Sequence, residues 1–306
     1  MKSLLVCLVS SLIIIVSVLI SLAYLTLAER KVMASMQRRV GPNVVGVYGL
    51  LQPIMDGVKL ILKESITPTH SNKLLYNMAP IGSLILALIL WSVIPINGST
   101  YTDLTYDILY ILAISSISIL TVLWSGWASN SKYSFLGSLR STSQMISYEV
   151  IIGLIILTVI LLTDETPNLT RIITSQSSTM NIFPLLPLFF MFFISIVAET
   201  NRAPFDLPEA ESELVSGFNT EYSAAPFALW FISEYGNIIF MSLLAVNIFL
   251  GGYIIFLPFI LFSFIWIRAA YPRYRYTDLM NICWESLLPL VIAFIILVPT
   301  LLLALI

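Results

Sequence analysis

Eight stretches of this chain are apolar enough and long enough to cross a lipid bilayer, whose hydrocarbon core requires about 20 residues of helix. They run from Ser3 to Ala28, Leu74 to Pro95, Ile108 to Ser129, Thr142 to Thr163, Asn181 to Ala198, Ala224 to Leu250, Tyr253 to Ile267 and Ile282 to Ile306. Inside hydrocarbon every backbone N–H and C=O must find a partner within the protein, and a helix does this locally. The charge-free run from Tyr235 to Ile267 is too long for one crossing, and Gly251 with Gly252 supplies a turn inside it. The first run is too long for a signal-peptide core and lacks a small-residue cleavage site, so it is predicted to be a permanent span. No internal repeat or low-complexity linker divides the chain. The prediction is an all-α polytopic membrane protein, a single domain over residues 1–306 with about eight transmembrane helices.

Composition narrows the function. Only 10% of the residues are charged, against about 25% in soluble domains, which excludes a water-soluble enzyme or a disordered chain. With 15 basic and 17 acidic residues the chain has no basic excess for nucleic acid. Cys7, Cys283 and His70 are the only cysteines and histidine. They cannot supply the four thiolates of an iron–sulfur cluster, paired haem histidines or a tetrahedral zinc site. If electrons are involved, the redox centre belongs to a partner.

Eight spans place both termini on one side, and the basic residues decide which. The odd-numbered connections hold 13 of the 15, leaving Lys2 and Arg171 opposite, so by the positive-inside rule the odd connections face the matrix or cytoplasm. The first connection carries a helical pattern from Gly49 to Glu64. Leu50, Leu51, Ile54, Val58, Ile61 and Leu62 share one face, with Gln52, Asp56, Lys59 and Lys63 opposite. Such a helix lies in the interface, either as a lipid-surface anchor or as a flap over a cavity entered from the bilayer.

Charges inside spans are the sharpest signal, because each costs about 2.5–3.5 kcal/mol at a helix centre and persists where it has a partner or a task. Glu149 follows Tyr148 in the fourth span, and Glu234 precedes Tyr235 in the sixth, so each carboxylate has a phenol next to it in sequence. Either acid could bond helix to helix in its neutral form or transfer protons. The densest polar stretch is the fifth connection, ETNRAPFDLPEAESELVSGFNTEY, from Glu199 to Tyr222. It sets Glu199, Asp206, Glu209, Glu211, Glu213 and Glu221 against Arg202 alone. Asp206 with Glu209 matches a capping box in its Asp form, Pro208 suits a first helical turn and Gly217 can end a helix, so a short acidic loop helix is predicted. This stretch reads either as a solvated connection or as a switching or proton-conducting element; its spacing is not that of an EF-hand calcium loop. After the first span, Glu29, Arg30 and Lys31 either mark the membrane boundary or place a paired charge at a cavity wall.

The strings AERKVMASMQRRVGPNVVGVYGLLQPIMDGVKLILKE, SYEV, AETNRAPFDLPEAESELVSGFNTEY and IRAAYPRYRY together resemble the heel subunit of respiratory complex I, subunit 1 of NADH:ubiquinone oxidoreductase. The likeness runs from about Glu29 to the last span. It implies a membrane subunit that encloses much of the ubiquinone-access tunnel, begins an acidic chain leading towards antiporter-like subunits, and binds no redox cofactor, ubiquinone being the substrate while FMN and iron–sulfur clusters sit in partner subunits. Implied partners are the quinone-module subunits of the peripheral arm, including the one with the terminal iron–sulfur cluster, the small membrane subunits, the antiporter-like subunits and lipid, with no nucleic acid. Residue by residue, the resemblance puts Glu29, Arg30, Gln37, Arg38, Tyr48, Phe205, Phe218 and Arg268 on the tunnel wall. Glu199, Asp206, Glu209, Glu211 and Glu213 fall on the acidic loop below the quinone chamber, and Glu149, Glu221 and Glu234 on the proton path leading from it.

Other classes remain: the related membrane subunit of a hydrogenase, a proton transporter without a redox partner, and a structural anchor. A transporter is expected to show inverted repeats or broken mid-membrane helices, which the sequence does not display; an anchor has no use for Glu149 and Glu234; and APFDLPEAESELVSGFNTEY favours the quinone enzyme. The lack of an Arg-rich presequence fits either a protein made inside the organelle or a bacterial one; compact loops and similarity to organelle forms favour the mitochondrial inner membrane, with a bacterial plasma membrane as the alternative.

Overall fold

The computed structural model describes residues 2–96, 100, 102, 104–163, 166–206 and 217–305. All regular structure among these residues is helical. In chain order the α-helices are α1 (Lys2–Met36), α2 (Gln52–Leu62), α3 (Lys73–Leu90), α4 (Asp107–Ala128), α5 (Lys132–Leu162), α6 (Leu169–Ser175), α7 (Leu186–Glu199), α8 (Ala224–Phe249), α9 (Leu257–Ala270), α10 (Tyr276–Asn281) and α11 (Leu288–Leu305). A π-helical segment, Ile282–Leu287, joins α10 to α11. Among the described residues, six helices are long and apolar enough to cross a membrane, and two further apolar stretches, Leu186–Glu199 and Ile254–Ala270, are shorter. The chain is a polytopic, all-helical membrane protein. The predicted acidic loop helix falls on residues 207–216, outside the described residues.

The helices pack around α8. In its most apolar window 72% of residues are buried, against 17% in α1 and in the C-terminal helix, so α8 is the axis and the terminal helices are the rim. In a bilayer apolar side chains gain little by leaving lipid, so association rests on close packing and on polar contacts. Both are present. Phe249 near the end of α8 meets Phe189 and Phe192 of α7 at ring distances of 5.5 and 5.3 Å. Between α4 and α5 the contact is made by small residues: a Cβ on Gly126 would collide with Ser138 Oγ. The serines at this contact do not leave hydroxyls stranded, since Ser125 donates to Val122 O at 2.7 Å and Ser138 to Phe135 O at 2.8 Å.

This small-residue contact also explains why α5 begins at Lys132 while the apolar run begins at Thr142: its first turns are serine-rich but pack against α4. Similarly α1 continues to Met36, beyond the apolar run that ends at Ala28, because the charges that follow find partners described below. Helix α6 went unpredicted. Its start is marked by Asn168, whose side-chain oxygen accepts from Thr170 N at 2.8 Å and Arg171 N at 3.3 Å, an N-cap legible in the string NLT. At Gly251 and Gly252 the chain turns with φ of 66° and 73°, which suits glycine. There Gln176 donates to Asn247 O at 3.0 Å and Ile248 O at 3.1 Å and accepts from Gly251 N at 2.9 Å. It thereby satisfies carbonyls that the end of α8 would otherwise leave unpaired.

The amphipathic stretch predicted from Gly49 to Glu64 forms the shorter helix α2. Val47–Gly49 form a separate 3-10 turn before it, with Tyr48 at φ 53°. None of its residues is buried, and Ile54, Met55, Val58 and Ile61 are exposed on this chain.

Behind the acidic connection, the segment Gly217–Asn219 rests directly on α5. A Cβ on Gly137 would stand 2.7 Å from Gly217 Cα, and Gly217 has φ +54°. Gly137→Ala is therefore expected to destabilise the protein by about 1–3 kcal/mol, the usual cost of overpacking against backbone. The thermal midpoint of the purified variant measures this, and an unchanged midpoint would show that this backbone contact is absent.

Candidate functional site

Four segments distant in sequence bring ionised side chains together beside α8. Glu29 comes from the C-terminal part of α1, Arg202 from the turn after α7, Glu234 and Tyr235 from α8, and Arg268 from the last turn of α9. Arg202 is buried and stands between two carboxylates, with Nε 3.0 Å from Glu234 Oε1 and a terminal nitrogen 3.6 Å from Glu29 Oε1. Arg268, one-third exposed, forms a second ion pair with Glu29. The Tyr235 hydroxyl donates to Glu29 Oε2 at 2.6 Å, and its ring lies 4.3 Å from the Arg202 guanidinium carbon, a cation–π contact. Burial opposes the charge on Arg202, yet Glu234, Tyr235 and Glu29 outweigh it and hold the guanidinium's pKa above the ordinary arginine value. The two acids and two arginines balance in charge, which is how a buried ionic cluster is tolerated. A small cavity of about 20 Å³ borders Glu29, Arg202, Tyr235 and Arg268.

The neighbouring cavity is larger, about 60 Å³, and several polar side chains line it. Glu199 and Glu234 both line it, with Asn201, Asn219, Trp230 and Ser233 among its walls. Glu199 ends α7 and is buried; its Oε2 has no hydrogen-bond partner among the described residues. It lies within electrostatic range of Glu149. Glu149 is half-buried at the bundle's edge, accepts a hydrogen bond from Ser115 at 2.7 Å, and precedes the exposed Val150. Arg268, Glu29, Arg202 and Glu234 thus form a line of alternating charge that reaches the cavity, with Glu199 and Glu149 beyond it.

The acidic connection is pinned at both ends. Before its undescribed part, Asp206 lies 3.3 Å from Arg273, Tyr274 N donates to Pro204 O at 3.1 Å, and the buried Gln144 amide donates to Ala198 O at 2.7 Å and Phe205 O at 3.0 Å. The Phe205 ring sits 5.6 Å from that of Tyr274 and 6.4 Å from that of Tyr148. After it, Tyr76 and Tyr222 stack at 4.3 Å and exchange hydrogen bonds with backbone, Tyr76 to Glu221 O at 2.6 Å and Tyr222 to Tyr76 O at 3.1 Å. Burial, then the nearby Tyr76, raises the pKa of Tyr222, which therefore stays neutral.

Several sequence readings are revised here. The phenols next in sequence to Glu149 and Glu234 do not serve them: Tyr148 donates to Leu279 O at 3.1 Å, and Tyr235 serves Glu29 rather than Glu234. Consecutive residues on a helix point about 100° apart, so sequence neighbours do not face one another. Glu29 does not pair with Arg30 either; Arg30 is exposed and bonds Asp56 of α2 at 2.6 Å. Asp206 meets Arg273, while Arg202 is engaged elsewhere. Of the residues assigned to one tunnel wall, Glu29 and Arg268 come together, Phe205 lies beside Asp206, and Phe218 belongs to the aromatic wall of the cavity. Gln37, Arg38 and Tyr48 are exposed in the loop before α2. Glu209, Glu211 and Glu213 lie outside the described residues. Arg202 was recognised only as the lone cation of an acidic stretch, and Trp230 and Asn219 had no sequence signal.

An all-helical bundle of apolar helices that keeps a neutralised cluster of paired charges beside a cavity lined by several polar side chains is a polytopic membrane protein. Its family follows from direct comparison. Residues 9–299 match the NADH dehydrogenase family. The chain is 54% identical over 307 residues to NADH-ubiquinone oxidoreductase chain 1 of Metridium senile, covering 95% of this chain and 92% of that one. It is 51% identical over 310 residues to the protein of the same name from Chondrus crispus, with 95% of each covered. To an NADH-quinone oxidoreductase subunit of the bacterium Rhodospirillum rubrum it is 51% identical over 296 residues, covering 90% and 88%. The chain belongs to the NADH dehydrogenase subunit 1 family, that of the heel membrane subunit of respiratory complex I.

Proposed function

We propose that this chain, as the membrane subunit of a proton-translocating NADH:ubiquinone oxidoreductase, walls part of the ubiquinone path and couples quinone reduction to proton movement through its buried carboxylates. The relatives' names support the enzyme. The observation that carries the coupling is the chain of ion pairs from Arg268 through Glu29 and Arg202 to Glu234, which lines one cavity with Glu199; Glu199 in turn acts electrostatically with Glu149. A quinone gains negative charge as it is reduced and takes up two protons. Such a change near the partly exposed Arg268 alters the field on Glu29, and each ion pair passes the perturbation to the next with little screening in an apolar surround.

In this reading Glu29, Arg268, Phe205 and Phe218 face the quinone path, with Arg30, Gln37, Arg38 and Tyr48 at its mouth beside α2. Glu199, Glu221, Glu234 and Glu149 carry or sense protons, and Asp206, Glu209, Glu211 and Glu213 form the responsive acidic loop. Ubiquinone is the substrate. FMN and iron–sulfur clusters belong to the peripheral-arm partners, and the edge holding Glu149 meets other membrane subunits. The eight apolar stretches, including the two shorter helices, are crossings of the mitochondrial inner membrane.

Glu149→Gln and Glu234→Gln test the carrier role, because each keeps shape and much hydrogen bonding while removing titration. Assembly is expected to survive while coupled turnover falls several-fold. Assembled complex in sealed vesicles, assayed for quinone reduction and acidification, measures both; normal pumping by both variants would end the carrier reading.

A further inference from the structure

The cavity between Glu199 and Glu234 concentrates unmet hydrogen-bonding capacity. Four buried polar atoms without partners among the described residues belong to side chains that line it: Glu199 Oε2, Asn201 Oδ1, Asn219 Oδ1 and Trp230 Nε1. Glu199, Asn219 and Trp230 are each more than nine-tenths buried. A buried polar atom left unmet costs about 1–3 kcal/mol, so four at one cavity call for a partner there.

The mixture of donor and acceptors identifies the occupant. A bare cation would satisfy the three oxygens but leave the indole N–H directed at positive charge. An anion would suit the indole and clash with Glu199 and Glu234. Water both accepts and donates, and a space of about 60 Å³ is several times the roughly 10–15 Å³ that a single water needs.

We propose that Trp230 is a positioning residue whose indole N–H fixes the orientation of a small water cluster joining Glu199 to Glu234. This rests on the coupling role of those two acids given above. A water that accepts from the indole must direct its own protons away, towards the carboxylate and amide oxygens. The amides of Asn201 and Asn219 hold the cluster without exchanging protons, so the protonable ends are the two glutamates. Trp230 can neither gain nor lose a proton and sets direction without becoming an intermediate. Its ring is held for this by Phe218 and Tyr222, at 5.0 and 6.0 Å, the residues that close the acidic connection.

Trp230→Phe removes the donor and keeps an aromatic ring; Trp230→His keeps an N–H donor in a smaller ring, neutral at pH 8 given an ordinary pKa of about 6.5. Both are compared with the parent in assembled complex in sealed vesicles at pH 8, as protons moved per electron pair, with NADH-to-ferricyanide electron transfer reporting the amount assembled. The expected order is parent, then histidine, then phenylalanine, with the phenylalanine variant losing at least half the ratio. A pure packing role predicts the reverse order of the two variants, and that result, equal losses, or a normal phenylalanine variant would overturn the proposal. If neither variant assembles, a density map of the parent complex decides: ordered water within hydrogen-bond reach of Trp230 Nε1 upholds the assignment, and an empty or ion-filled cavity overturns it. Loss of pumping in Glu199→Gln beside a normal Trp230→Phe would remove this inference alone, whereas normal pumping in Glu199→Gln would remove the coupling reading beneath it.

Discussion

Arg202→Leu is expected to cost about 3–5 kcal/mol and to leave little stably assembled complex, the usual consequence of removing one partner from a buried ion pair. The side chain is 9% exposed and serves two acids at once, Glu234 at 3.0 Å and Glu29 at 3.6 Å. Leucine removes the guanidinium that stands 3.0 Å from Glu234, while Glu29 retains Arg268 and Tyr235. Arg202→Lys keeps a charge but loses the planar fork that spans the two acids, so it falls between parent and leucine variant. Arg268→Leu is expected to be milder, since Arg268 is one-third exposed and Glu29 keeps Arg202. Native electrophoresis and the thermal midpoint of the purified complex measure the series. A leucine variant of normal yield and midpoint would show that the network does not hold these helices together.

Much of the helical framework could be read from the chain because membrane crossing imposes a length and an apolarity that need no knowledge of neighbours. The ends of helices were less legible. Glu29 and Arg30 continue α1 because Arg202, Arg268 and Asp56 receive them, and nothing near residue 29 announces partners near residues 202 and 268. The same holds for the serine-rich start of α5, which is polar by composition yet packs by size. For the site, individual acids stood out because each is costly in an apolar helix, so Glu149 and Glu234 were found singly. Their partners were misassigned where sequence adjacency stood in for geometry, as with Tyr148 and Tyr235. Trp230 resembles any other aromatic residue of a span until the fold surrounds it with unpaired oxygens.

Under the proposed function, Glu199 passes protons between the cavity and Glu149. It is buried, its Oε2 lacks a partner among the described residues, and it lines the same cavity as Glu234 while acting electrostatically with Glu149. Among the described residues no other acid occupies both positions, so its loss is expected to exceed that of Glu149 or Glu234. Glu199→Gln preserves volume and a polar head but cannot titrate, and the paired charges around Arg202 remain, so the complex should assemble. The decisive measurement is the number of protons translocated per electron pair by Glu199→Gln complex in sealed vesicles, with NADH-to-ferricyanide transfer as the measure of assembled enzyme. Normal ferricyanide activity with coupled proton translocation reduced more than tenfold is expected; a parental ratio of protons to electrons in that variant would show that Glu199 is not on the proton path.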